Sequence, residues 1–567
     1  MSRNTKNLWL IKLALTLAGK KEWNALESSS MDCRKAQFKV LMDILSYAKD
    51  TYYGKEHEFS SIRSVGDFQN HVPINDYEDL RPYIMRHTKG EESVLVPGKP
   101  VIYATTSGTT KEPKWIPVTK KYFEDCYNGL SKLWLYSLLK ENPHIYDGPE
   151  LSIVGKPVEG YTEDGTPYGS CSGHVYENIP NLLKAVHVVP NAVFSIDDYK
   201  SRYYCFMRFT LEYQIKLIVT GNPSTLLALH RVVQENIDNL IKDIEKGSLK
   251  NDLKIEPDLR KQIESRLRPN PKRAKELKEM ALKHTPLYPK HYWPTLEVVN
   301  TWKCGNSGLY LRHAEDFYPE NTTVRDFSYF ATEARAGIVL TSAQIPSILA
   351  AHRMFFEFVK TDDIEDPYPP IYLASELEEG LSYYIIITNT NGLYRYNIND
   401  ILRVEGFYNE FPMLRFIQKG AGVTSLTGEK LHEAQLIEAF SELERENGIK
   451  TAFFIAFASL ASSAYHVFIE FDKDVRTDEA RSFGIALDNK LMQANIEYKA
   501  KRLSLRINPP VLHLLEKNSF EKFKTACLKI GYRDGQFKLC HLLHEDKRLS
   551  MFRELSGQTE IRLYENT

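Results

Sequence analysis

The sequence is short of everything that marks a disulfide-stapled, zinc-stapled or membrane-spanning chain. Its 567 residues hold seven cysteines, at 33, 126, 171, 205, 304, 527 and 540, with no CxxC pair and no Cys/His cluster. That scatter excludes a disulfide framework and a structural zinc site, and it fits a reducing, cytoplasmic compartment. No apolar run is long enough to span a bilayer, which takes about 20 residues. The most apolar stretch, Leu8 to Ala18, is interrupted by Lys12. Its Leu8, Ile11, Leu15 and Ala18 follow one helical stripe, so the stretch reads as a helix packed on the body, with attachment to a membrane surface as the lesser alternative, and no membrane partner is expected. The net charge is -1, so there is no basic field to gather nucleic acid. His174, His187, His313, His352 and His432 lack metal-ligand spacing, and neither Ser152 nor Ser172 sits in a Gly-x-Ser-x-Gly elbow. A small-molecule substrate is the default that remains.

Hydrophobic residues make up 43% and charged residues 26%, an ordinary globular balance, and the length predicts two or more domains. The ladder Phe38, Leu41, Met42, Ile44, Leu45 predicts a helix, followed by a turn at Tyr52-Tyr53-Gly54. From Val94 onward short β-rich runs alternate with helices: Val101 to Tyr103, Leu151 to Val154, Ile215 to Val219, Glu297 to Val299 and Tyr383 to Thr388. This alternation predicts an α/β body with mixed sheets flanked by helices. The Lys- and Glu-dense segment from Arg231 to His284, with Ile237, Leu240, Ile241 and Ile244, reads as helices whose charges face solvent. After the strand Phe416 to Lys419 and a Gly-containing joint comes a compact pattern. It comprises a helix at Glu433 to Glu446, strands at Phe453 to Phe457 and Val467 to Phe471, and a helix at Glu479 to Tyr498. We therefore expect a large N-terminal domain, 1–417, and a small α+β C-terminal domain, 418–567.

Four local patterns carry chemistry. Thr105-Thr106-Ser107-Gly108-Thr109-Thr110-Lys111-Glu112-Pro113-Lys114 is a loop of small hydroxyl residues and Gly, able to aim N–H groups, hydroxyls and a Lys at phosphate oxygens. It lacks the Gly-Lys-Ser/Thr ending of a Walker loop. Tyr329-Phe330-Ala331-Thr332-Glu333 offers a ring for a base and a carboxylate for magnesium, a cation that prefers oxygen. Gly392 to Asp400 places a carboxylate at a turn, where it could accept hydrogen bonds from both hydroxyls of a ribose. Gly535-Gln536-Phe537-Lys538-Leu539-Cys540 holds a Lys in an apolar context. Each pattern alone is commonplace.

In this order and at these separations, together with Gln418-Lys419 and Thr427-Gly428-Glu429-Lys430-Leu431, the motifs resemble the adenylate-forming superfamily. Within it, the chain most resembles the auxin-responsive acyl acid amido synthetase family and its bacterial relatives, over nearly its whole length. The resemblance implies an adenylate-forming fold whose small C-terminal domain is mobile. It implies that Ser107, Gly108, Thr109, Thr110 and Lys114 face the phosphates of ATP, that Thr332 lies beside the adenylate phosphate and that Glu333 ligates Mg2+. Tyr329 would line the adenine pocket, Asp400 would hold the ribose, Lys419 would lie at the joint, and Lys538 would swing in during adenylation. The implied partners are a small carboxylic acid and an amino acid; apart from the resemblance, a monomer is expected. Amide formation is the reading by likeness; an acyl-CoA ligase and a catalytically silent relative are its alternatives. Three positions depart from the family pattern: Lys111 and Asn399 stand where Gly is usual, and Cys540 where Pro is usual.

Overall fold

A computed structural model describes residues 8–106, 114–179, 184, 186–304, 311, 315–364, 366, 368–420, 423–519, 522–523, 541–545, 547–556 and 560–564. By internal contacts the chain divides into two compact units: one runs up to Gln418, apart from 107–114, and the other begins at Lys419.

Among its described residues the first unit contains three sheets. In the first, β1 (Ile102–Thr106) runs parallel to β5 (Pro167–Gly169), with β2 (Lys114–Val118) and β4 (Gly160–Tyr161) at the edges. The second sheet, β3 (Glu150–Ile153), β6 (Leu217–Thr220), β7 (Val298–Thr301) and β8 (Thr323–Asp326), is parallel throughout. Side chains alternate across a strand, so both its faces are apolar and both are covered. Leu151, Ile218 and Val299 pack with the helices between residues 191 and 292, while Leu217, Val219 and Val298 meet Ile11, Leu15 and Leu138. The latter side chains come from the Leu8–Ser30 and Asn128–Glu141 helices. Leu240 and Ile244 of the charge-dense segment are buried and its lysines face outward, as the spacing predicts.

The third sheet has seven strands in the order β12-β11-β13-β14-β15-β10-β9, and it positions the candidate site. Its strands are β9 (Gly337–Ile338), β10 (Ser347–Leu349), β11 (Phe355–Lys360), β12 (Tyr372–Leu373), β13 (Ser382–Thr388), β14 (Tyr396–Tyr408) and β15 (Phe411–Lys419). Tyr383, Ile385 and Ile387 of β13 face the largest core, where Leu41, Ile44 and Leu45 of the Cys33–Ala48 helix also pack. Phe38, expected in that ladder, lies off the buried face and is exposed.

The second unit is α+β. A five-stranded sheet in the order β21-β18-β19-β20-β22 is built on the antiparallel pair β18 (Thr451–Ser459) and β19 (Ala464–Phe471). Its remaining strands are β20 (Val511–Leu514), β21 (Leu542–His544) and β22 (Glu560–Arg562), and a separate ribbon joins β16 (Val423–Thr424) to β17 (Leu431–His432). The helix expected over 479–498 is in fact two, Thr477–Ala494 and Ile496–Leu503. Asn495 breaks it by leaving helical geometry to cap the second helix: its Oδ1 accepts from the Tyr498 N–H at 2.8 Å. Such side-chain competition with the helix ladder is what makes Asn a cap-former.

Candidate active site

Asp400 is placed by a fault in the β13/β14 ladder. Tyr384 pairs with Ile401 and Ile386 with Asn397, so Ile398, Asn399 and Asp400 together stand opposite Ile385. A bulge of this kind bends the strand and re-aims its side chains. Asn399 adopts a left-handed φ of 61°, and its N–H is accepted by Asn397 Oδ1 at 2.8 Å. The Gly-to-Asn departure is thus accommodated, because Asn tolerates this region better than other residues with a Cβ. Asp400 is only 3% exposed, and the Tyr329 hydroxyl donates to its Oδ2 at 2.7 Å.

Tyr329 opens a tight reversal. Its N–H donates to Ser347 Oγ at 2.8 Å, and its carbonyl accepts from Gly337 N–H at 3.0 Å. Ala331 and Ala334 exchange backbone hydrogen bonds, leaving Thr332 and Glu333 at the tip. Glu333 is 3% exposed. Burial raises the phenol pKa of both Tyr329 and Tyr396 well above the ordinary range, and the nearby Asp400 and Glu333 carboxylates raise both further. The two carboxylates therefore act on the same pair of rings, although they stand 67 positions apart in the chain.

The turn between β13 and β14 ties these pieces together. Asn389 Nδ2 donates to the Glu333 carbonyl at 3.1 Å, and Asn391 Oδ1 accepts from Thr119 N–H at 2.9 Å. Gly392 has φ 82°, and a Cβ there would meet Leu95 Cβ at 2.9 Å and Val96 Cγ1 at 3.0 Å. The Tyr394 hydroxyl donates to the Leu95 carbonyl at 2.6 Å. Arg395, also left-handed, reaches the buried Glu357 carboxylate at 2.9 Å. Sequence reasoning missed Asn389, Asn391 and Tyr396 as parts of the site. The Asn-Thr-Asn-Gly run before Leu393 was the available signal, since such runs mark turns in which side chains bind nearby backbone.

Of the residues singled out in the sequence, Tyr329, Thr332, Glu333 and Asp400 are brought together. Lys114 opens β2 and is half-buried. Lys419 ends β15, and its side chain lies outside the described residues, as do Ser107, Gly108, Thr109, Thr110, Lys111, Lys538 and Cys540. What the described part provides is a pair of buried carboxylates, one at the tip of a reversal and one in a strand bulge. Burying a carboxylate is costly, and such groups concentrate where a cation or hydroxyl-bearing ligand is held.

Family models match most of the chain: the GH3 family N-terminal domain at residues 22–323, its central domain at 347–419 and its C-terminal domain at 434–547. The chain belongs to the GH3 family. The Tyr329 hairpin falls between the first two GH3 matches, whereas Asp400 and its bulge fall inside the central one. Similar GH3 relatives include the jasmonoyl--L-amino acid synthetase JAR4 of Nicotiana attenuata, 23% identical over 90% of this chain and 91% of its own. The indole-3-acetic acid-amido synthetase GH3.17 of Arabidopsis thaliana is 25% identical over 90% and 91%. The 4-substituted benzoates-glutamate ligase GH3.12 of the same plant is 22% identical over 85% and 88%. Among solved structures, the GH3.15 acyl acid amido synthetase superposes with a TM-score of 0.64 at 20% identity, covering 97% of each chain, which establishes the shared fold. The family resemblance drawn from the motifs and the mixed α/β architecture both agree with these findings.

Proposed function

We propose that this protein is an ATP-dependent acyl acid amido synthetase, which adenylates a carboxylic acid and transfers the acyl group to the amine of an amino acid. The observation that carries the proposal is the buried Tyr329–Asp400 pair beside Glu333, in a chain whose relatives are named as amido synthetases and ligases across their length. Asp400, fixed by Tyr329, accepts hydrogen bonds from the ribose hydroxyls. Glu333 suits Mg2+: it is a buried oxygen donor, fixed at a turn tip beside a Thr hydroxyl. Among the described residues no three His, Cys, Asp or Glu groups could form a metal cage, and Mg2+ shared with nucleotide phosphates needs only one or two protein carboxylates. When bound, the ion neutralises charge on the phosphates.

Ser107, Gly108, Thr109, Thr110 and Lys114 hold the phosphates, and Thr332 donates to the α-phosphate. The acid's carboxylate attacks that phosphorus and pyrophosphate departs, with Lys538 stabilising the charge that moves. The domain boundary is set at the Gln418-Lys419 joint, about which the C-terminal domain turns to let the amine reach the acyl carbonyl. Cys33, Cys126 and Cys205 are buried free thiols, which suits a reducing cytoplasm as the enzyme's location.

The test is pyrophosphate release from MgATP over a panel of aryl, indole and fatty acids, with amino acids or with CoA. Acid-dependent release with a mass-detected amide supports the proposal. A CoA thioester in place of the amide refutes the acceptor, and acid-dependent release persisting in Lys538→Ala refutes the role of that lysine.

A further inference from the structure

The Leu8–Ser30 helix buries one stripe and leaves another bare. Ile11 and Leu15 are in the core, and Gly19 lies so close to the Asn128–Glu141 helix that a Cβ would come within 2.1 Å of Tyr136 Cβ. On the outer side Trp9, Leu13 and Leu17 recur every four residues and are 62%, 47% and 65% exposed, with Leu10 beside them. Residues spaced by four share one helix face, so this is a continuous apolar ridge, unlike the scattered single hydrophobics of an ordinary surface.

The surrounding charge identifies what meets the ridge. From Met1 to Lys21 the sequence holds Arg3, Lys6, Lys12, Lys20 and Lys21 and no acid, although the whole chain carries -1. Lys20 and Lys21 are exposed one turn beyond Leu17, whereas Lys140 of the adjoining helix is held over the Trp23 ring at 4.3 Å. Carboxylates on the ridge's flanks are engaged: Asp147 binds Lys12 at 2.5 Å, and Glu22 binds Arg353. A second copy docked by two-fold symmetry through the same face would set bases against bases. No helix among the described residues is long and apolar enough to cross a membrane.

We propose that this ridge seats the protein on an anionic lipid surface. Trp9, Leu10, Leu13 and Leu17 enter the boundary between headgroups and acyl chains, with the helix lying in the plane, while Lys20 and Lys21 lie over lipid phosphates.

The experiment is co-sedimentation of the full chain with vesicles of phosphatidylcholine alone and with vesicles in which phosphatidylglycerol replaces part of it. Binding is expected on the anionic vesicles only, weakening as salt screens the charges. It should fall roughly fivefold for each of Lys20→Gln and Lys21→Gln, and at least about tenfold for Leu13→Gln with Leu17→Gln. All four side chains are on the outer side of the helix, so thermal melts of the variants should match the parent. Equal pelleting with neutral vesicles, no pelleting with either, or variants that bind like the parent would overturn the proposal. So would sedimentation velocity showing a dimer that the leucine pair dissolves, since the ridge would then belong to a second copy.

Discussion

Tyr329→Phe isolates a single interaction at the candidate site. The ring stays, so the apolar burial and the offset packing on Phe416, with ring centroids 6.2 Å apart, are retained. What goes is one O–H donor, 2.7 Å from a carboxylate that is 3% exposed. A hydrogen bond to a charged group contributes about 1.5–3 kcal/mol, and its loss inside the protein is not made good by bulk water. The first unit should lose stability of that order in urea unfolding. If Asp400 must be held in place to receive the ribose, the KM for ATP should rise roughly 10- to 150-fold, the same free energy expressed as a ratio. The assay is acid-dependent ATP–pyrophosphate exchange in a double-mutant cycle with Asp400→Asn. In the Asp400→Asn background the Tyr329→Phe penalty on KM should shrink to under about 0.5 kcal/mol, because the partner it acts through has changed. Additive penalties would refute the view that Tyr329 works by positioning Asp400. An unchanged KM in both single variants would remove the nucleotide from this site altogether.

Three further outcomes follow from the same turns. Gly392→Ala adds a Cβ at φ 82° within 3.0 Å of Leu95 and Val96, and should cost at least about 2 kcal/mol by urea unfolding. Arg395→Met leaves the Glu357 carboxylate buried without its cation, and should destabilise by about 3–5 kcal/mol, whereas replacing both partners with apolar residues should recover much of the loss. Burial holds the His87 pKa down at about 4, and its Nε2 accepts the Leu95 N–H at 3.0 Å. Between its unfolded value near 6.5 and about 4 the unfolded chain binds the extra proton, so this stability is present above pH 6.5 and is lost as the pH falls toward 4. The loss should reach roughly 3 kcal/mol, and His87→Gln should flatten that part of the stability–pH curve.

Periodicity in the sequence determined most of the elements. The parallel strands at Leu151, Leu217 and Val298, the Glu433–Asn447 helix and the β18–β19 pair are strong local patterns, and local pattern suffices where hydrophobic spacing and backbone preference agree. The motifs placed Tyr329, Glu333 and Asp400 in one site because they could be compared with a family as an ordered set. Their chemistry in isolation was unremarkable. Only the tertiary structure decided how Asp400 is aimed, since a two-residue excess in one strand is visible only against its partner, and Asn399 reads in sequence as an ordinary turn residue. It also decided that Asn389 grips the Glu333 carbonyl, that the Tyr396 phenol feels the charge of both carboxylates, and that Asn495 ends a helix whose spacing continues through it. Each of these rests on a contact between segments far apart in the chain or on a cap that competes with a helical pattern. Sequence spacing encodes which face of an element is buried; it does not encode what that face meets.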